Sequence, residues 1–325
     1  MTDRSLPPHV EGTVATVGTF DGFHRGHRDL VNRLVSRARE TNLRSVLVTF
    51  DPHPLEVVRP EFAPLLLTVG RERQELLAET GLDYLAIVPF NAALAALDAE
   101  AFVREVLEKR FAMRELVVGY DHGFGRGRSA DARTLQKIGL ERGFAVTVVA
   151  PVTLDDGRAV SSTIVRTAVT DGNLSAAAEA LGRSYSLSGR VVAGAARGRE
   201  LGFRTVNLAL PSARKLLPPE GVYAVRVATP DGAHGGMMNL GARPTFGDGE
   251  RSIEAHVFDA SGDWYGRWLR VEVLARLRDI RRFADAAALV SQLREDERAA
   301  REVLARVVPA AAKHVISVDP ALGRT

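Results

Sequence analysis

Thr16-Val17-Gly18-Thr19-Phe20-Asp21-Gly22-Phe23-His24-Arg25-Gly26-His27 decides how the first half of this chain folds. The apolar run that ends in it, Val14 to Val17, reads as a short buried strand, and two glycines with an aspartate make the turn that follows. A helical period opens at His27, with Leu30, Val31, Leu34, Val35 and Ala38 on one face. His24 and His27 are three residues apart, so a helical first turn puts both imidazoles on one side. They then sit beside backbone N–H groups that lack an intrahelical partner and attract anions. Gly18, Gly22 and Gly26 let a bulky polyphosphate approach the backbone closely. Such a turn suits a nucleoside triphosphate, with the imidazoles donating hydrogen bonds to phosphate oxygens as charge builds there.

Outward from that turn, strand and helix patterns alternate. Strands are expected over 45–50, 84–90, 116–119 and 144–150, and helices over 71–80, 99–111 and 130–141. This alternation argues for an α/β domain with a parallel, Rossmann-like sheet, whose ligands bind beyond the carboxyl ends of the strands. The loop from Gly119 to Arg128 lies at such an end. It is either a solvated loop or a site in which Asp121 binds a sugar hydroxyl or metal, Phe124 stacks on a flat ring and the arginines meet phosphate. Ser161, Ser162 and Thr163 open a further helix, with Arg166 three residues on. These hydroxyls serve as helix caps or wrap a polyphosphate together with the arginine. His53, between Pro52 and Pro54, is open to a structural or a nucleotide-lining role. A helix over 174–181 closes the first domain, 1–183.

The second domain, 184–325, changes character. Strand-like runs at 188–192, 222–228, 234–240, 252–258 and 268–277, separated by Gly, Pro and Asp, suggest a small antiparallel β-barrel. An amphipathic helix over 284–308 would pack on it, and 309–325 reads as a loose tail. Gly194, Gly198 and Arg199 lie in a loop that is neither a P-loop nor a dinucleotide fingerprint, and whose glycines would let it close over phosphates. Thr205 and Asn207 alternate to one face of an extended segment. They present two neutral oxygens for a partial octahedral magnesium site completed by nucleotide phosphates, or else they form a local turn.

Bulk properties exclude little beyond the obvious. The chain has 325 residues, 46% hydrophobic and 26% charged, as in ordinary soluble domains. Lys plus Arg exceeds Asp plus Glu by 43 − 40 = 3, too little to argue for nucleic acid. No apolar run is long enough to span a membrane, and no secretory signal opens the chain. With no cysteine there is neither disulfide nor thiolate chemistry, which leaves the compartment open but fits a bacterial cytoplasm. Neither a nucleic-acid nor a membrane partner is expected, and oligomeric state is left open.

The string from Gly18 to His27 resembles the HxGH signature of nucleotidyltransferases, in the longer form of the bacterial FAD synthetases, the bifunctional riboflavin kinase/FMN adenylyltransferases. The family commonly has Asn where this chain has Thr19. The stretch Thr49-Phe50-Asp51-Pro52-His53-Pro54, the Val117-to-Gly125 loop and Ser161-Ser162-Thr163-Ile164-Val165-Arg166 are also similar to the family's patterns. Gly198-Arg199-x-Leu201-Gly202-Phe203-Arg204-Thr205-Val206-Asn207 resembles the riboflavin kinase signature GRxLGxPTAN. Gly221 to Val225, Asn239 to Phe246 and Glu254 to Asp259 follow in the family's order.

The resemblance implies two sites. His24 and His27 would be catalytic in adenylylation of FMN by ATP, with Gly18, Phe20, Asp21, Gly22, Asp121, Phe124, Ser162, Thr163 and Arg166 binding the nucleotide. Thr205 and Asn207 would hold Mg²⁺, Gly194, Gly198 and Arg199 would bind ATP, and Glu254 would accept the proton of the ribityl 5′-hydroxyl. Riboflavin, FMN and ATP are then the substrates, and FAD the final product. The chain departs from the pattern at Arg204 (usually Pro), Val206 (usually Ala) and Ile280 (often acidic).

Overall fold

The computed structural model describes residues 6, 7, 9–121, 123, 125, 130–194, 202–242, 251–260 and 262–307. Phe124, Gly198 and Arg199, and the tail at 309–325, lie outside the described residues. The described strands are β1 (Thr13–Val17), β2 (Arg44–Asp51), β3 (Tyr84–Pro89), β4 (Met113–Gly119), β5 (Ala145–Val149), β6 (Tyr185–Val192), β7 (Thr205–Ala209), β8 (Gly221–Thr229), β9 (Gly232–Ala242), β10 (Arg251–Val257) and β11 (Trp268–Arg278). The described helices are α1 (Arg25–Glu40), α2 (Pro54–Val58), α3 (Gly70–Ala78), α4 (Ala92–Ala96), α5 (Ala99–Phe102), α6 (Lys109–Phe111), α7 (Ala132–Arg142), α8 (Ser162–Thr170), α9 (Leu174–Leu181) and α10 (Ala286–Arg306).

By packing, the chain forms two units: residues 1–68 with 76–165, and residues 69–75 with 166–325. The sequence pattern puts the division after 183, where helical character gives way to short strand-like runs. In the structure α9 packs on β6 and β11, and so goes with the second unit.

In the first unit β1 to β5 form one parallel sheet in the order β3-β2-β1-β4-β5. Strand β1 is buried on both faces, as central strands of parallel sheets are. Val14 packs with Leu30, Val31, Leu34 and Val35 of α1, while Ala15 and Val17 pack with Phe102, Val103, Val106 and Leu107. The single helix expected over 99–111 is interrupted by a π-helical segment, Val103–Glu108. That wider turn keeps Val103, Val106, Leu107 and, beyond it, Phe111 all buried. The order of strands reverses at β1, with β2 and β3 on one side and β4 and β5 on the other. In open α/β sheets the ligand crevice lies outside the carboxyl ends at such a reversal. The turn after β1 and the loop after β4 are therefore the places to look.

The second unit is a closed antiparallel barrel in the order β10-β7-β6-β11-β8-β9. Helix α10 covers part of it, with Ala300 against Phe203, Met237 and Phe258. Asp296, on the packed face of α10, accepts both arms of the Arg278 guanidinium at 2.8 and 2.7 Å and an amide N–H from Gln292.

One ion pair in this unit has no precursor in the sequence pattern. Lys215 Nζ, on a fully buried side chain, lies 2.8 Å from Glu72 Oε2 and 2.8 Å from the carbonyl of Ser186. Ser186 Oγ donates to the other Glu72 oxygen. Lys215→Ala strands a buried carboxylate and is expected to destabilise this unit by about 3–5 kcal/mol. Urea unfolding followed by tryptophan fluorescence checks this, because Trp264 and Trp268 are the chain's two tryptophans and both belong to this unit.

Candidate active sites

The turn between β1 and α1 is tightly built. Phe20 and Phe23 take positive φ values of 47° and 39°, and Gly22 takes 79°. A left-handed phenylalanine costs on the order of 1–3 kcal/mol and persists only where its surroundings hold it. Both rings are buried here. The Asp21 carboxylate is buried as well, accepting hydrogen bonds from the Leu67 and Thr68 amides and the Thr68 hydroxyl. Thr68 in turn accepts from the Gly22 N–H. The Ser162 hydroxyl donates to the Asp21 carbonyl at 2.9 Å. Asp21 and Ser162, expected from the family's pattern at the nucleotide, thus hold the turn that carries the histidines. Thr68 carries no signal of this role in the sequence, because nothing periodic links it to position 21.

His24 is the N-cap of α1, its Nδ1 accepting the His27 backbone N–H at 3.3 Å. A nitrogen that accepts carries no proton, so the donor of this ring is Nε2. The two imidazoles stack with centroids 3.7 Å apart and an interplanar angle of 18°. His24 is buried and His27 half-buried. Gly26 packs closely here, since a Cβ there would meet Cε1 and Nδ1 of His24 at 3.3 Å and press on that ring. Gly18 is similarly close-packed, its place for a Cβ lying 3.1 Å from the Phe20 ring.

Other parts of the predicted site follow the same strand ends. Ser161 caps α8 by accepting the Ile164 N–H, and Thr163 is exposed on the first turn. Asp121, just past β4, folds back over Gly119, whose Cβ position is 3.5 Å from its Oδ1 and 3.7 Å from Leu30 of α1. Arg166 is half-buried on the second turn of α8. His53 caps α2, with Nδ1 accepting the Leu55 N–H while the Glu56 carboxylate accepts the His53 N–H.

In the barrel, the register builds a second cluster. Strand β10 lies between β7 and β9, and sets Glu254 opposite Asn207 on one side and opposite Asn239 on the other. Directly opposed residues share a face, with β-carbons about 4.5–5.5 Å apart. Thr205 shares that face, two residues along β7 and opposite His256. Gly194 closes over Asn207, because a Cβ there would fall 1.9 Å from Asn207 Nδ2. Asn239 is a site residue to which sequence reasoning gave no role, since alternation along one strand does not reveal its neighbour.

The donor set fits magnesium. Thr205 and Asn207 offer neutral hard oxygens, and the glycine cradle keeps the Asn207 amide close to backbone that can bind phosphate. Among the described residues no group of three His, Cys, Asp or Glu side chains could hold a metal alone, so phosphate oxygens would complete the shell. A groove of the barrel unit, about 640 Å³ and lined by Arg226, Gly235, Phe258, Asp259, Arg301 and Leu304 among others, contains none of the sequence-predicted residues.

Gly194→Ala forces the Asn207 amide aside. Riboflavin phosphorylation is expected to fall about 10²-fold, the usual effect of displacing a reacting or liganding group by an ångström. Formation of FAD from supplied FMN by the same preparation serves as the internal control.

Comparison with known proteins matches both halves of the chain. The FAD synthetase family model matches residues 6–164 and the riboflavin kinase family model residues 181–304. The bifunctional riboflavin kinase/FMN adenylyltransferase of Escherichia coli is 40% identical over 92% of this chain and 95% of its own length. This chain belongs to that family. The enzyme of the same description from Pseudomonas fluorescens is 39% identical over 93% of the chain and 96% of its length. A solved structure described as a macrolide-efflux protein from Streptococcus pneumoniae superimposes with a TM-score of 0.80 at 33% identity, covering 92% of this chain and 96% of that one. That description is of the streptococcal protein. In this chain no helix among the described residues is long and apolar enough to cross a membrane.

Proposed function

We propose that this chain makes FAD from riboflavin in two steps, each in its own unit. In the barrel the ribityl 5′-hydroxyl of riboflavin attacks the γ-phosphorus of ATP, and ADP leaves. Glu254 takes the hydroxyl proton, which must depart as the new P–O bond forms. Thr205 and Asn207 would hold Mg²⁺ together with the nucleotide, and the ion would supply charge neutralisation on the phosphate oxygens. In the first unit the phosphate of FMN attacks the α-phosphorus of a second ATP, and pyrophosphate leaves. That nucleophile is already anionic, so alignment and charge stabilisation suffice and no protein nucleophile is needed. His24 and His27 meet the developing phosphate charge, Thr163 binds the polyphosphate, and Asp121 binds a sugar hydroxyl. Asp21, Gly22, Phe20 and Ser162 shape the turn that presents the histidines. Both steps use small cytoplasmic metabolites, and the enzyme's place is the cytoplasm.

Support for the kinase half comes from the pairing of Glu254 with Asn207, which gives the barrel a base beside a metal-binding oxygen. At the departure from the family pattern, Arg204, the backbone carbonyl accepts from the His256 ring at 2.7 Å. The test is incubation with riboflavin, ATP and Mg²⁺, with flavins separated over time. FMN should rise first and FAD follow at its expense. FAD from FMN with no FMN from riboflavin would reduce the chain to an adenylyltransferase with a degenerate barrel.

A further inference from the structure

We propose that His256 is a positioning residue for the metal loop of the kinase site, acting through the backbone of Arg204. The inference rests on the reading of Thr205 and Asn207 as magnesium ligands.

The β10–β7 ladder ends at the pair His256 and Thr205. Beyond it the chain leaves the sheet, with Gly202 at a φ of +85°, so the carbonyl of Arg204 has no further rung to join. His256 supplies the missing one, its Nδ1 standing 2.7 Å from the Arg204 carbonyl oxygen. A carbonyl only accepts, so Nδ1 carries the proton and donates. The ring itself is held edge-on between two phenylalanines. Its centroid is 5.3 Å from Phe203 and 5.6 Å from Phe258, each at an interplanar angle of 66°. Phe203 and Phe258 are buried against α10. A donor on a clamped ring therefore fixes the peptide immediately before Thr205. It acts on the first of the two oxygens assigned to the metal, from the strand that also carries Glu254.

Three substitutions separate this role from packing. His256→Phe keeps a flat ring between Phe203 and Phe258 and removes the donor. His256→Asn restores a donor at the position of Nδ1, and His256→Gln places one where Nε2 was, too far along to reach the carbonyl. The Mg²⁺ concentration for half-maximal riboflavin phosphorylation is expected to rise about ten-fold or more in the Phe variant, as when a residue orienting a metal ligand is lost. The deficit should be recovered at high Mg²⁺, and the Asn variant should behave like the parent. Should the Phe variant fail to fold, the Gln variant replaces it. A second readout is independent of turnover: Mn²⁺ titrated into the full chain with ADP and followed by electron paramagnetic resonance. His256→Phe should lose the same tightly held Mn²⁺ that Asn207→Ala loses, and His256→Asn should retain it. Loss in Asn207→Ala with retention in both His256→Phe and His256→Gln overturns the role of His256 while leaving the metal loop intact. Retention in Asn207→Ala overturns the metal loop itself.

Discussion

His24→Ala is expected to lower FAD formation from supplied FMN by about 10²–10³-fold while leaving FMN formation from riboflavin intact, the magnitude following from loss of one donor to a developing oxyanion. Alanine removes two things at once, however. It takes away the Nε2 donor, and it takes away the cap that accepts the His27 N–H at 3.3 Å. Cap loss alone costs on the order of 1 kcal/mol of helix stability. His24→Asn separates the two, because asparagine is a good N-cap but cannot place a donor where Nε2 was. Matching thermal stability with the parent enzyme, together with activity as low as in the alanine variant, assigns the loss to the missing donor. Activity near normal in His24→Asn would mean that the imidazole matters only as a cap. The stack of His24 on His27, at 3.7 Å, makes the two positions interdependent. The His24→Ala/His27→Ala double variant should therefore cost less than the product of the single losses.

The second large effect is at the other site. Glu254→Gln preserves size and hydrogen-bonding capacity but not the ability to take a proton, and riboflavin phosphorylation is expected to fall by about 10²–10⁴-fold. FAD formation from riboflavin should fall in parallel, because it waits on FMN, whereas FAD formation from supplied FMN should be unchanged. The pairing of Glu254 with Asn207 and Asn239 makes the glutamine variant structurally mild. A normal rate of phosphorylation in Glu254→Gln would remove this residue from the role of base, and attention would pass to other groups on that barrel face.

Much of this architecture is legible in the amino-acid sequence. The apolar period from Leu30 to Ala38 requires α1, the short apolar runs require the parallel strands, and the glycine- and histidine-rich turn points to phosphate. The alternation of Thr205 and Asn207 announces two oxygens on one face. Other features exist only in three dimensions. Asp21 is typical of a ligand-binding carboxylate in sequence, yet its oxygens bond to Leu67 and Thr68. Glu72 and Lys215 are ordinary surface-type residues in the chain, and only the fold makes them a buried pair.

The sequence by itself determined the local elements, because periodicity, turn glycines and helix caps act over a few residues. It also named the chemical groups that could act on phosphate. Tertiary structure alone decided that β1 sits where the strand order reverses, which puts the turn carrying His24 and His27 at the strand end where open α/β sheets place their ligands. It alone decided that Glu254 faces Asn207 and Asn239, and that His256 reaches the carbonyl of Arg204. Strand order and register arise from burying every sheet face at once, a constraint that no short window of sequence contains.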